Sequence, residues 1–185
     1  MIKMQKILVV TPSIELALAF KNAFAMYDVD IQHVSNYTEA ICIIQEHSID
    51  LLITEYFLEA GNDIESAFET RNWEVDLIEY DMRRHNAYQN DLVWLRSEIS
   101  MRDKEKLFPL GRRLSIDADL FMVKNIILWD LYDKPFYQDQ IEGIALYLSE
   151  YGRYLYYSMH KPDITSKEFC KFVRDKKFLD LKKVY

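Results

Sequence analysis

The sequence predicts an α/β fold built on a doubly wound parallel sheet. Three observations carry this. Short apolar runs rich in β-branched residues, at 6–10, 29–34 and 49–54, alternate with segments whose apolar residues recur at helical spacing. The stretches between the runs are long enough to hold a helix, which is what joins parallel neighbours. Glycine and proline number only four each in 185 residues, and no linker-like segment interrupts the chain, so one compact body is expected.

The elements follow in order. Lys6-Ile7-Leu8-Val9-Val10 reads as a buried strand ending at Thr11-Pro12-Ser13. Pro12 suits the first turn of a helix, and Thr11 or Ser13 supplies an N-cap oxygen. Over 14–26, Leu16, Ala19, Phe20 and Phe24 share one helical face. Alternation over 29–34 predicts a second strand, and Ser35-Asn36 opens a second helix with Ala40, Ile43 and Ile44 inward. Residues 49–54 predict a third strand ending at Glu55. In parallel sheets, sites form beyond the carboxyl ends of the strands, which puts Thr11, Pro12 and Glu55 at the edge that matters.

Residues 57–88 carry acid-rich stretches around Trp73 and Tyr80 and read as an insertion. Helical periodicity returns over 91–101, through Leu92, Leu95 and Ile99. A short strand is expected at 107–110, a helix over 116–125 and a buried strand at 126–129, closed by Asp133-Lys134-Pro135-Phe136. A long helix is expected over 138–159, striped by Ile141, Ile144, Leu148, Leu155 and Met159. Lys161-Pro162-Asp163 breaks it, and Thr165 or Ser166 opens a last helix with Phe169, Phe172 and Val173 inward.

Composition excludes several classes. Half the residues are hydrophobic and 29% are charged, which is a folded and not a disordered chain. The net charge of −7 disfavours a surface devoted to gripping nucleic acid. No apolar run approaches the roughly 18 residues that span a bilayer, and the first residues lack a signal-peptide pattern. Cys42 and Cys170 lie far apart, without a disulfide framework. A cytoplasmic protein with no membrane partner is the expectation. Four scattered histidines form no zinc motif, and no Gly-rich phosphate loop stands out, so no metal and no cofactor are expected.

Two segments resemble the receiver domain of response regulators. The first is 6–55: Lys6-Ile7-Leu8-Val9-Val10 is similar to the family's first strand. His33-Val34-Ser35-Asn36-Tyr37-Thr38-Glu39-Ala40 is similar to the second strand and the start of the second helix. Asp50-Leu51-Leu52-Ile53-Thr54-Glu55 is similar to the third strand with the phosphoacceptor position. The second is Leu131-Tyr132-Asp133-Lys134-Pro135-Phe136, similar to the Lys-Pro-Phe end of the fifth strand, and Leu92-Val93-Trp94-Leu95-Arg96 matches the third helix. The resemblance covers about two thirds of the chain. It implies a flavodoxin-like, five-stranded parallel sheet over 1–159, with the 57–88 insertion and a helical C-terminal extension at 160–185.

The departures from that family decide the functional expectation. The acidic pair that would hold Mg²⁺ after the first strand is replaced by Thr11 and Pro12. The acceptor is Glu55 in place of aspartate, and the switch hydroxyl after the fourth strand falls on Gly111. Lys134 alone is retained. The resemblance therefore implies a pseudo-receiver: no enzyme, and a signalling protein working through protein–protein contact without phosphorylation, with Glu55 imitating the charged state. A rival register takes 75–81 as the third strand, with Asp81 as acceptor.

Other residues stand out on their own chemistry. Tyr147, Tyr151, Tyr154 and Tyr157 crowd the expected long helix, and tyrosine excess is an interface signature, so a homodimer or partner contact is expected there. Arg83, Arg84, Arg112 and Arg113 are candidates for an anion or nucleic acid. The tail 161–185 holds 8 basic and 4 acidic residues, leaving the remainder at −11. These basic groups support an alternative function, a DNA-associated regulator. A third reading is a small ligand-binding domain or enzyme of flavodoxin-like fold, though no catalytic constellation is visible.

Overall fold

A computed structural model describes residues 4–84, 89–123, 125–130, 154–158 and 166–175. Strands β1 (Gln5–Val10), β2 (Val29–Val34) and β3 (Leu51–Glu55) fall where the apolar runs predict them. So do helices α1 (Ile14–Phe24) and α2 (Tyr37–Glu46). Ser13 caps α1, its Oγ accepting the Leu16 N–H at 3.2 Å, and Asn36 caps α2, its Oδ1 accepting the Glu39 N–H at 2.9 Å. These oxygens satisfy amide donors that the first turn of a helix leaves without partners.

The main sheet is parallel in the order β2-β1-β3-β6, where β6 is Ile126–Asp130. A further strand, β7 (Tyr154–Ser158), runs parallel along the outer side of β6, with Ile126 opposite Tyr154 and Trp129 opposite Tyr157. Residues 154–158 are therefore extended, not the end of the expected 138–159 helix. The rest of that segment, with Tyr147 and Tyr151, lies outside the described residues.

Apolar side chains leave the sheet alternately on its two faces, as the period of two requires. Ile7, Val9, Leu51, Ile53 and Ile127 pack beneath α1 with Leu16, Phe20 and Phe24. The last described helix, α6 (Ser166–Asp175), packs against α1 and adds Cys170 and Val173 to this cluster. It is part of the same core as the sheet. Leu8, Val10, Leu52, Ile126 and Leu128 pack on the other face against α2 and α5 (Gly111–Leu120). Burial on both faces is why β1 and β3 read as continuous apolar runs. Among the described residues no helix is long and apolar enough to cross a membrane.

Besides the helix expected over 116–125, which is α5 at Gly111–Leu120, the middle of the chain departs from expectation in four ways. The acid-rich stretch is a 21-residue helix, α3 (Ile64–Arg84), begun by Asp63, whose Oδ1 accepts the Ser66 N–H at 3.1 Å. Residues 75–81 are therefore helical, which removes the rival third strand and with it Asp81 as acceptor. Second, 91–101 lies in α4 (Gln89–Lys104), which is held to α3 by the Arg71–Asp103 and Arg96–Glu79 ion pairs. The helix on the sheet between β3 and β6 is α5, so α5 and not 92–96 occupies the third-helix place. Third, the short strand expected at 107–110 is β5 (Leu107–Phe108). It pairs antiparallel with β4 (Leu58–Glu59) in a separate ribbon and is no part of the parallel sheet. Fourth, 126–129 belongs to β6, which pairs directly with β3, so it takes the fourth place in the sheet and not the fifth.

Candidate functional site

The carboxyl ends of β1 and β3 lie side by side, because Val10 pairs with Thr54 and the next residues are Thr11 and Glu55. Thr11 is fully buried and its polar groups are committed. Its N–H donates to Val34 O at 3.1 Å, its carbonyl meets His33 Nε2 at 2.9 Å, and its Oγ1 accepts the Ser13 N–H at 3.0 Å. This short turn carries the chain from β1 into α1. Pro12, half-buried, contributes no N–H and no carboxylate.

Glu55 is half-buried at the end of β3, and its carbonyl accepts the Thr54 hydroxyl at 3.1 Å. Gly111 reaches the same place by a route the sequence did not suggest. It opens α5, and its N–H donates to Tyr56 O at 2.9 Å. A Cβ on Gly111 would stand 1.9 Å from Glu55 O, so only glycine permits this approach. Thr11, Pro12, Glu55 and Gly111 are thus brought together, although Gly111 does not follow the fourth strand of the sheet. Lys134 lies outside the described residues. Among the described residues no group of three or more His, Cys, Asp or Glu could hold a metal ion.

Behind this edge is a buried network. Tyr56, next to Glu55, donates its hydroxyl to Glu74 Oε2 at 3.1 Å. Glu74 Oε1 lies 2.6 Å from Arg112 Nε, and both side chains are almost wholly buried. The Arg112 guanidinium also stacks 4.5 Å from the Trp73 ring centroid. Burial pushes the Glu74 carboxyl up to about 7, opposed by Arg112 and the Tyr56 hydroxyl. The network ties α3, α5 and the end of β3 to one another.

Of the four arginine candidates, Arg112 is thus an internal structural residue, unavailable to an external phosphate without breaking its pair. Arg113 is partly exposed and bonded to Ser66 Oγ and Thr70 Oγ1 at 2.9 and 2.6 Å. It also stacks on Tyr37, whose hydroxyl donates to Asp117. Arg83 is exposed and pairs with Glu79, and the side chain of Arg84 is not described. Tyr154 and Tyr157 lie on β7. Sequence reasoning missed Glu74 as a buried residue. The signal was present once α3 is recognised, since Ala67, Thr70 and Glu74 recur at the spacing of one buried helical face.

Comparison of the chain with protein-family models and with curated proteins finds no match.

Proposed function

We propose that the chain is a receiver-like signalling module that lacks a phosphoryl-transfer site and acts by protein–protein contact. The observation that carries this reading is the end of β1. Thr11 is buried with its hydroxyl accepting from Ser13, and Pro12 follows, so neither offers an anionic oxygen. A divalent cation of the Mg²⁺ type binds through hard oxygens, chiefly carboxylates. The Mg²⁺ that the resemblance implies does not fit these residues, and no chemical step is assigned through it. Phosphoryl transfer depends on charge neutralisation and positioning, and Glu55 supplies neither by itself. It stands instead as a carboxyl side chain at the acceptor position.

The parallel order β2-β1-β3-β6, with helices on both faces, supports the receiver reading. In this reading β7 is the fifth strand and α6 the helix after it. The insertion is then wider than 57–88: it comprises β4, α3, α4 and β5, ahead of the crossover helix α5. Lys134 then follows the fourth strand, and the Lys-Pro pattern that the resemblance attaches to the fifth strand recurs at Lys161-Pro162, shortly after Ser158. Both lysines lie outside the described residues. The DNA-associated alternative loses Arg112 to the buried pair with Glu74, which weakens its arginine cluster.

Incubation with acetyl phosphate and Mg²⁺, read by intact mass, tests the reading. The expected result is an unmodified chain. A phosphoryl adduct that disappears in Glu55→Gln would overturn it.

A further inference from the structure

We propose that the groove between α3 and α5 docks a basic amphipathic helix of a partner protein. Its lining includes none of Thr11, Pro12, Glu55 and Gly111, and it does not depend on the receiver reading. Its floor is apolar. Trp73 on α3 is 55% exposed, and Ile116 and Leu120 on α5 are 39% and 73% exposed. Between the helices lies an open depression of about 280 Å³, lined by Glu69, Thr70, Trp73, Arg113 and Ile116.

The indole is held in place from beneath. Arg112 stacks on Trp73 at 4.5 Å, and Arg112 is itself fixed by the buried Glu74 carboxylate. A ring braced in this way loses little freedom when a partner covers it, which lowers the entropic cost of binding. Ile116 lines the depression with Trp73, and Leu120 lies one helical turn further along α5, extending the exposed apolar surface of that helix. Two helices with an apolar depression between them suit a third helix presenting apolar anchors at i, i+3, i+4 and i+7.

The rim selects the sign of the partner. Glu65, Glu69 and Asp76 are exposed on α3 along the same side as Trp73, and Asp119 stands partly exposed on α5. These carboxylates form no ion pair with a described residue. Arg113, the cation in the lining, is already engaged by Ser66, Thr70 and Asp117. The depression therefore has an apolar floor with the Glu69 carboxylate in its lining, and Glu65, Asp76 and Asp119 add exposed acid to the two helices that flank it, which favours a helix with lysines or arginines flanking its apolar stripe. A second copy presenting the same face would set acid against acid, on a chain whose net charge is −7.

The test uses the full chain, labelled with ¹⁵N, and a synthetic stapled peptide of leucine and lysine with leucines at i, i+3, i+4 and i+7. A scrambled peptide of identical composition is the control. The expected result is movement of the Trp73 indole N–H and of the Ile116 and Leu120 amides, with affinity falling as salt is raised. Ile116→Glu and Leu120→Asp each weaken binding about tenfold or more, at unchanged thermal melting, since both side chains are exposed. Three results overturn the proposal: equal binding of the scrambled peptide, shifts centred elsewhere on the chain, or indifference to both substitutions. Concentration-dependent self-association that protects Trp73 in the absence of peptide would assign the groove to a second copy and overturn it as well.

Discussion

Replacing Arg112 with methionine removes a buried cation and leaves a carboxylate in its place without a counter-charge. Both side chains of the Glu74–Arg112 pair are at least 96% buried, since 4% of Arg112 and 1% of Glu74 is exposed. Breaking such a pair from one side costs about 3–5 kcal/mol, because the surviving charge stays desolvated. In a chain of this size that lowers the melting temperature by roughly 10 °C. The cost depends on pH in a direction that can be worked out. Burial already raises the Glu74 carboxyl to about 7, and loss of Arg112 raises it further. A raised carboxyl favours the folded state below its unfolded value and loses that contribution as pH rises through the folded value. Arg112→Met is therefore destabilising at pH 8 and markedly less so at pH 5, where Glu74 carries a proton. The double variant Glu74→Leu, Arg112→Met removes both charges and recovers most of the loss. Urea unfolding followed by circular dichroism at the two pH values measures all three. A single variant that costs under about 1 kcal/mol at pH 8, or a double variant as unstable as the single, would refute the reasoning.

Other substitutions test the elements around the site. Gly111→Ala forces a methyl into Glu55 O and is expected to cost about 3 kcal/mol or more, read as a lower melting temperature. Ser13→Ala removes the α1 cap and is expected to cost about 1 kcal/mol in chemical denaturation, with no change in fold. Leu52→Ala empties a fully buried position on the α2/α5 face of β3 and is expected to cost about 2–5 kcal/mol.

The first third of the chain was legible because its local signals agree with one another. The runs at β1 and β3 are buried on both faces, and Ser13 and Asn36 mark the helix starts by their side chains. The middle was not legible, for identifiable reasons. Helix α5 starts after Leu110, which makes no side-chain capping bond, and its first residue is Gly111, normally a helix breaker. Its start is imposed by contact with Glu55 and Tyr56, a tertiary constraint with no local signature. Helix α3 buries glutamates at two of its inward positions, Glu74 and Glu79, so its apolar stripe is interrupted. Tyr154 to Ser158 has an apolar content that fits a helix as well as a strand, and pairing with β6 decides the matter. The site was half visible: the positions of Thr11, Pro12 and Glu55 follow from strand ends, whereas the Tyr56–Glu74–Arg112–Trp73 network joins residues far apart in sequence.

We propose that the carboxyl edge of β1 and β3 assembles no phosphoryl site. Titration of the ¹⁵N-labelled chain with Mg²⁺ and beryllofluoride, a mimic of the bound phosphoryl group, tests it most directly. The account predicts unmoved amides for Thr11, Ser13, Glu55 and Gly111 up to millimolar ligand. Saturable shifts centred on Thr11 and Glu55, dependent on Mg²⁺, would contradict it.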